Sequence, residues 1–220
     1  MELIIFLGLI GLIAVLIYKL TKDSSDPVPS TSFSTSSRLV ASNPLAHLPE
    51  RFVVFDIETT GLDSERHEIL EIGAIRVNRN SNNHDTFQVL VKPSRKVPKK
   101  ITELTGITPE MIEAEGVSLE SAVQDFAKFA GNLRLVSFNA EFDMAFISKA
   151  AGKSSITFAN PVSCALKMSR RAWPDRKSYR LAEIAKDGNL DTSDMHRALG
   201  DCQRAAIVYC AAASRLGTVE

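Results

Sequence analysis

Two carboxylates two positions apart inside an apolar run are the first residues of this chain that could do chemistry. Asp56 and Glu58 lie in residues 52–62, FVVFDIETTGL, where five of the first six residues are apolar, the near-continuous pattern of a strand buried on both faces. Side chains alternate along a strand, so both acids project to the same face. Two unpaired anions buried side by side would cost several kcal/mol, on the order of a small domain's whole stability. A divalent cation that prefers hard oxygen ligands, Mg²⁺ or Mn²⁺, would compensate them, and the run holds no Cys or His that would favour Zn²⁺. Thr59, Thr60 and Gly61 break the strand, which sets the pair at its carboxyl end, where open α/β sheets carry their sites. Alone, such a pair fits a strand end with two solvated acids better, so its meaning depends on other groups.

Two further groups have the right chemistry. Asp143 follows a short apolar stretch at residues 133–138 (LRLVSF), one turn into a helix for which Asn139 is the expected cap. If that strand neighbours the first, Asp143 faces Asp56 and Glu58. The third group is His196 with Asp201, in HRALGD. On a continuous helix, five positions at about 100° each would separate the two by about 140°. Both can serve one site only if His196 sits in the loop before the helix. A histidine there can take a proton from water near neutral pH, which a carboxylate bound to metal does poorly. Four acids and one histidine at a strand end suit two-metal hydrolysis of a phosphodiester. His47, His67 and His84 fall in linker, strand-edge and turn contexts and are read as exposed polar residues.

The elements that must position these groups follow from periodicity. Residues 67–78 (HEILEIGAIRVN) and 86–92 (TFQVLVK) read as strands joined by a link short enough to make an antiparallel hairpin. Thr108 and Pro109 read as a helix start, and residues 118–130 carry a helical apolar stripe capped by Ser118. A helix from Ala140 is expected to close at Gly152, with later helices at residues 164–172, 179–186 and 194–215. Helix followed by strand is the rhythm of an α/β fold: a mixed sheet flanked by helices, in one domain over residues 51–220.

The first fifty residues are of another kind. Residues 3–20 carry no proline and one charge, Lys19, and would make about 27 Å of helix, enough to span a bilayer core. Glu2 stands where a signal peptide would carry basic residues, and no A-x-A-like site follows, so residues 1–20 read as a retained transmembrane anchor. Lys19 and Lys22 follow the span, which puts the remainder in the cytoplasm, as a single-pass protein of the inner membrane. Residues 21–50, rich in Ser, Thr and Pro, read as a flexible linker. The three cysteines form no C-x-x-C pair, which favours a reducing compartment. The formal net charge is +0, so no global basic field recruits a polyanion, and nucleic-acid affinity must come from local patches or metal.

FDIETTGL, SFNAEFD and HRALGD, in that order and at these separations, closely resemble the three exonuclease motifs of the DEDD superfamily, in the subgroup whose last motif carries His. EILEIGAIRV, LVKPSRKVPKKITELTGIT and SYRLAEIA between them look like the matching segments of the proofreading epsilon subunit of bacterial DNA polymerase III and its relatives. The resemblance implies an RNase H-like sheet, release of nucleoside 5′-monophosphates from a 3′ end, and two Mg²⁺ or Mn²⁺ ions held by Asp56, Glu58, Asp143 and Asp201, with His196 as general base. It makes Thr59, Thr60, Leu62, Phe138 and Asn139 candidates for contact with the terminal nucleotide. DNA, single-stranded, is the expected partner, with an exoribonuclease resembling RNase T or oligoribonuclease as the alternative and a silent binding module as the reading from another class. Two basic stretches, at residues 92–100 and 167–180, could track a phosphate backbone. The sequence ends at Glu220, directly after the final helix, so stable association with a polymerase is not expected.

Overall fold

Strand β1 (Arg51–Thr59) lies at the centre of a five-stranded sheet of order β3-β2-β1-β4-β5. In this computed structural model residues 45–220 are described, except Asn82 and Asp194. The apolar stretch read as an anchor therefore lies outside the described residues, as does most of the linker. Among the described residues no helix is long and apolar enough to cross a membrane. β2 (Ile69–Asn78) pairs antiparallel with β1 and with β3 (Asp85–Leu90), the hairpin that the short link demands. On the other side β4 (Arg134–Ser137) and β5 (Val162–Cys164) run parallel to β1. The crossover from β3 to β4 passes through α1 (Lys99–Thr105), α2 (Pro109–Glu115) and α3 (Leu119–Ala130), and α4 (Ala140–Lys153) joins β4 to β5. The chain finishes with α5 (Ala165–Ala172), α6 (Leu181–Asp187) and α7 (Ala198–Leu216).

Alternation along β1 splits the core in two. Val53, Phe55 and Ile57 pack with Val123 and Phe126 of α3 and Phe146 and Ile147 of α4. Phe52 and Val54 face the other way, onto Met168 of α5, Ile184 of α6 and the buried length of α7. Alanines at 205, 206, 211, 212 and 213 are almost wholly buried, and their small side chains let α7 lie close against the sheet. The Tyr209 ring meets Phe52 edge-on with centroids 5.4 Å apart, a geometry worth about 0.5–1.5 kcal/mol beyond the area it buries.

The expected caps form: Thr108 accepts from the N–H of Met111 with Pro109 at the first helical position, and Ser118 accepts from that of Ser121. Three local readings change. α4 continues through Gly152, and Ser154 is its C-cap; the reversal that a glycine would have served is made at Ser155, with φ 54°. α7 begins at Ala198 rather than at 194, which leaves His196 in the preceding loop. β5, only three residues long, has no periodic signal by which to read it.

Packing against the sheet also starts earlier than residue 51. Leu45 and Leu48 are buried in the α7-side core, and Arg79 donates to the carbonyls of Leu45, Ala46 and Leu48 at 3.4, 3.1 and 2.6 Å. The last residues of the stretch read as linker are thus strapped to the domain. All three cysteines are free thiols.

Candidate active site

The face of β1 that supplies Phe52 and Val54 to the core supplies Asp56 and Glu58 two and four residues later, where the sheet ends. In β2, Gly73 pairs with Asp56 and Glu71 with Glu58. The register then slips between Glu58 and Thr59, an irregularity of the kind that bends strands beside sites. β4 lies parallel to β1, so its carboxyl end comes to the same edge. Ser137, its last residue, donates its hydroxyl to Asp143 in the first turn of α4. Asn139 holds the N-cap position of α4 but makes no side-chain cap bond.

α7 brings the third group. A Cβ on Gly73 would lie 2.6 Å from the backbone of Ala198 and Leu199, so only glycine lets the helix start this close to β2. That approach lowers Asp201 into the acid cluster. Its Oδ2 accepts the backbone N–H of His196 at 3.1 Å, and its Oδ1 accepts Nε and a terminal nitrogen of the buried Arg204 at 3.1 and 3.0 Å. Ligand atoms of Glu58, His196 and Asp201 lie within 4.8 Å of one another. All four acids and His196 therefore come from four separate elements and loops to one edge of the sheet.

The electrostatics of that edge are unbalanced. Burial, reinforced by Asp143, Asp201, Glu58 and Glu71, holds the Asp56 carboxyl well above the usual carboxylate range. Burial first, then Asp201, Glu71 and Asp143, push Glu58 up to about 8, with the Arg197 guanidinium pulling the other way. Burial raises Asp143 to about 7 despite the hydrogen bond from Ser137. These acids ionise together only if positive charge arrives, and a set of hard carboxylate oxygens in a confined space fits a divalent cation of the Mg²⁺ or Mn²⁺ type.

The candidate substrate contacts differ among themselves. Leu62 is 85 % exposed, an apolar side chain held out beside the acids. Thr59 and Thr60 are buried, and their hydroxyls shape the turn: Thr59 donates to the Gly61 carbonyl at 2.7 Å, and Thr60 accepts the N–H of Glu68 at 3.0 Å. Asn139 is exposed, while Phe138 packs against the α7-side core.

His67 is not the exposed residue that its strand-edge context suggests. Its ring fills the space over Gly61, within 2.5 Å of where a Cβ would stand, and its Nδ1 lies 3.3 Å from the Thr60 hydroxyl. His84 is likewise drawn in, accepting the N–H of Asn78 at 3.2 Å. In the second basic stretch Lys167 and Arg176 are paired with Glu141 and Asp187, and Arg171 donates to the main-chain oxygen of Glu220. Trp173 is buried and accepts the Tyr179 hydroxyl proton through its carbonyl, so its ring is part of the core beside this stretch. Lys92 and Lys99 of the first stretch pair with Glu113 and Glu103.

Sequence reading passed over Glu71. It is fully buried, and its carboxylate receives Gln88, Arg197 and the N–H of Ala198. The signal was there, an acid inside the apolar run EILEIGAIRV, and the argument that singled out Asp56 applies to it unchanged.

The exonuclease family profile (RNase_T) matches residues 53–209, from the third residue of β1 well into α7. The chain belongs to the exonuclease family. Over 162 residues it is 36 % identical to the DNA polymerase III epsilon subunit of Aquifex aeolicus, covering 72 % of this chain and 78 % of that one. It is 38 % identical over 164 residues to the PolC-type DNA polymerase III of Caldanaerobacter subterraneus subsp. tengcongensis, where the match takes in 74 % of this chain but only 12 % of the polymerase. Among solved structures, E. coli exonuclease I in complex with a dA16 oligonucleotide has the same fold, with a TM-score of 0.66 at 17 % identity over 77 % of this chain and 42 % of that one.

Proposed function

We propose that this exonuclease removes nucleotides one at a time from the 3′ end of single-stranded DNA while tethered to the inner face of the cytoplasmic membrane. The observation that carries the catalytic part is the convergence of Asp56, Glu58, Asp143 and Asp201 beside a histidine that lies in a loop rather than on α7. Two Mg²⁺ or Mn²⁺ ions held by those four acids would supply a water acidified for attack and charge to stabilise the leaving oxygen. His196, exposed on its loop, accepts the proton of the attacking water. The water oxygen bonds to the phosphorus of the terminal diester, the bond to the 3′ oxygen of the preceding nucleotide breaks, and a nucleoside 5′-monophosphate leaves. Leu62 meets the face of the last base, and the turn at Thr59 and Thr60 sets its position, with Asn139 at the opposite rim. The oligonucleotide bound by exonuclease I supports DNA as the polymer.

The anchor rests on residues 3–20, whose length and lack of proline suit a bilayer span, and the cytoplasmic orientation on Lys19 and Lys22.

The purified full chain, given 5′-labelled single-stranded DNA and RNA of one sequence with Mg²⁺, Mn²⁺ or EDTA, tests the chemistry. Stepwise shortening with metal, absent in EDTA and in Asp56→Ala, is expected, with DNA the faster substrate and His196→Ala slowed by about 10²–10⁴-fold. RNA cut faster than DNA would replace the sugar assignment, and cleavage surviving in Asp56→Ala would end the proposed mechanism. Fractionation of cells making the full chain tests the tether: it should stay in the membrane pellet through an alkaline carbonate wash and leave it only in detergent.

A further inference from the structure

His196 takes a backbone conformation that side chains seldom adopt, with φ 63°. Such a residue persists only where its surroundings over-determine it. The bond from its N–H to Asp201 Oδ2 is one constraint. The next residue supplies the rest. Arg197 donates through Nε to Glu71 Oε2 at 3.3 Å and through a terminal nitrogen to Oε1 at 2.8 Å, and Ala198 donates its N–H to Oε2 at 2.9 Å. On the far side Gln88 of β3 donates to Oε1 at 2.8 Å. Every acceptor position of the Glu71 carboxylate is thereby filled. Glu71 is a wholly buried residue of β2 and pairs across the ladder with Glu58. α7 has no cap from its own N-cap side chain; the strand beside it provides that cap instead.

We propose that the Glu71–Arg197 pair is a clamp that positions the His196 loop over the acid cluster for the exonuclease reaction. This rests on the reading of His196 as the general base. Stability alone does not explain the pair, because a buried ion pair roughly breaks even against an apolar replacement. Its geometry explains it better. The planar fork of Arg197 fixes the residue next to His196 against the sheet element that carries Glu58's neighbour, so loop and acids move as one body. Arg197 and Glu71 are positioning residues and need touch neither water nor phosphate.

The test uses the full chain with Arg197→Ala, Arg197→Lys and Glu71→Gln. The Arg197 side chain is 33 % exposed, so its truncation opens no cavity in the core, and Gln88 and the Ala198 N–H still serve the Glu71 carboxylate; Glu71→Gln, at a wholly buried position, is the variant that could fail to fold. In Arg197→Ala, kcat on single-stranded DNA should fall about 10–100-fold with KM changed less than about twofold. Arg197→Lys should recover only part of the loss, and guanidinium ion at low concentration should recover part of it in Arg197→Ala. Amide hydrogen exchange at residues 195–198 should quicken in Arg197→Ala while the interior of α7 stays protected. Unchanged kcat, or a loss carried by KM, overturns the clamp. If the unaltered chain leaves DNA intact, the exonuclease reading fails, and exchange still judges the clamp: an unchanged rate at residues 195–198 overturns it too.

Discussion

The two ends of β1 present the same face to the same helix and do opposite things with it. At the start of the strand Phe52 and Val54 meet the Tyr209 ring and its apolar neighbours in a closely packed core. At the finish Asp56 and Glu58 meet Asp201, and burial together with mutual repulsion raises Asp56 and Glu58 out of the carboxylate range. Burial is a stabilising term at one end and a destabilising one at the other. The first end holds the second together: the packing of α7 against Phe52 keeps like charges at close quarters that they would not keep unaided.

Breaking each end should therefore give opposite signatures. Asp56→Asn should lower kcat by about 10³-fold or more and leave the metal-free protein at least as stable as before, since it removes one of the repelling charges. Phe52→Ala should do the reverse. It is expected to cost about 3–5 kcal/mol of stability, read by urea unfolding, with kcat per folded molecule within about twofold of the unaltered chain. A large kcat loss in Phe52→Ala, under conditions where it is folded, would mean that the two ends are not separable.

Gly73 sits at the junction of the two regions and sharpens the comparison. A Cβ there meets helix backbone at 2.6 Å, and backbone cannot swing aside as the end of a side chain can. Gly73→Ala should push the start of α7 off β2 and carry Asp201 and His196 with it. Misplacement by about 1 Å can cost about 10²-fold in rate. The expected result is that order of loss in kcat, with a smaller loss of stability because the Tyr209 end stays packed. Equal losses in Gly73→Ala and Gly73→Ser, with unaltered metal affinity, would point away from a displaced helix.

How much of this could be read from residues alone depended on the range of the interaction. Asp56, Glu58, Asp143 and Asp201 were legible because carboxylates in or beside apolar runs need a reason, and the family motifs gave their order. The place of His196 followed from helix geometry once it had to share a site with Asp201. Arg197 was missed because its meaning lies in a contact across 126 positions of sequence, which no local pattern encodes, whereas Glu71 carried the same local signal as Asp56, an acid inside an apolar run, and only its partner was hidden. Gly73 was hidden likewise, since the helix that requires it lies far along the chain. The stop at Gly152 failed for the opposite reason: a local rule was followed where Ser155 makes the turn three residues further on. The strap at Leu45 and Leu48 looked like more linker because two leucines set no period, and only Arg79 shows what they are anchored to.

The smallest expected effect concerns the charged end by itself. The unfolded chain has released its carboxyl protons by about pH 5, whereas the folded chain without metal holds those of Asp143 to about 7 and Glu58 to about 8. Folding therefore takes up protons across that window, and stability that is present below about pH 4 is lost as pH rises toward 8. The metal-free full chain should melt lower at pH 8.5 than at pH 5.5, by a few degrees, one kcal/mol being worth about 2–4 °C in a chain of this size. Millimolar Mg²⁺ or Mn²⁺ should erase the difference at high pH and do little at low pH, because a cation binds only the ionised acids. Phe52→Ala should melt lower throughout yet keep the same slope with pH, while Asp56→Asn should flatten it. A slope unchanged in Asp56→Asn would place the proton uptake outside the acid cluster and undo the contrast between the two ends of the strand.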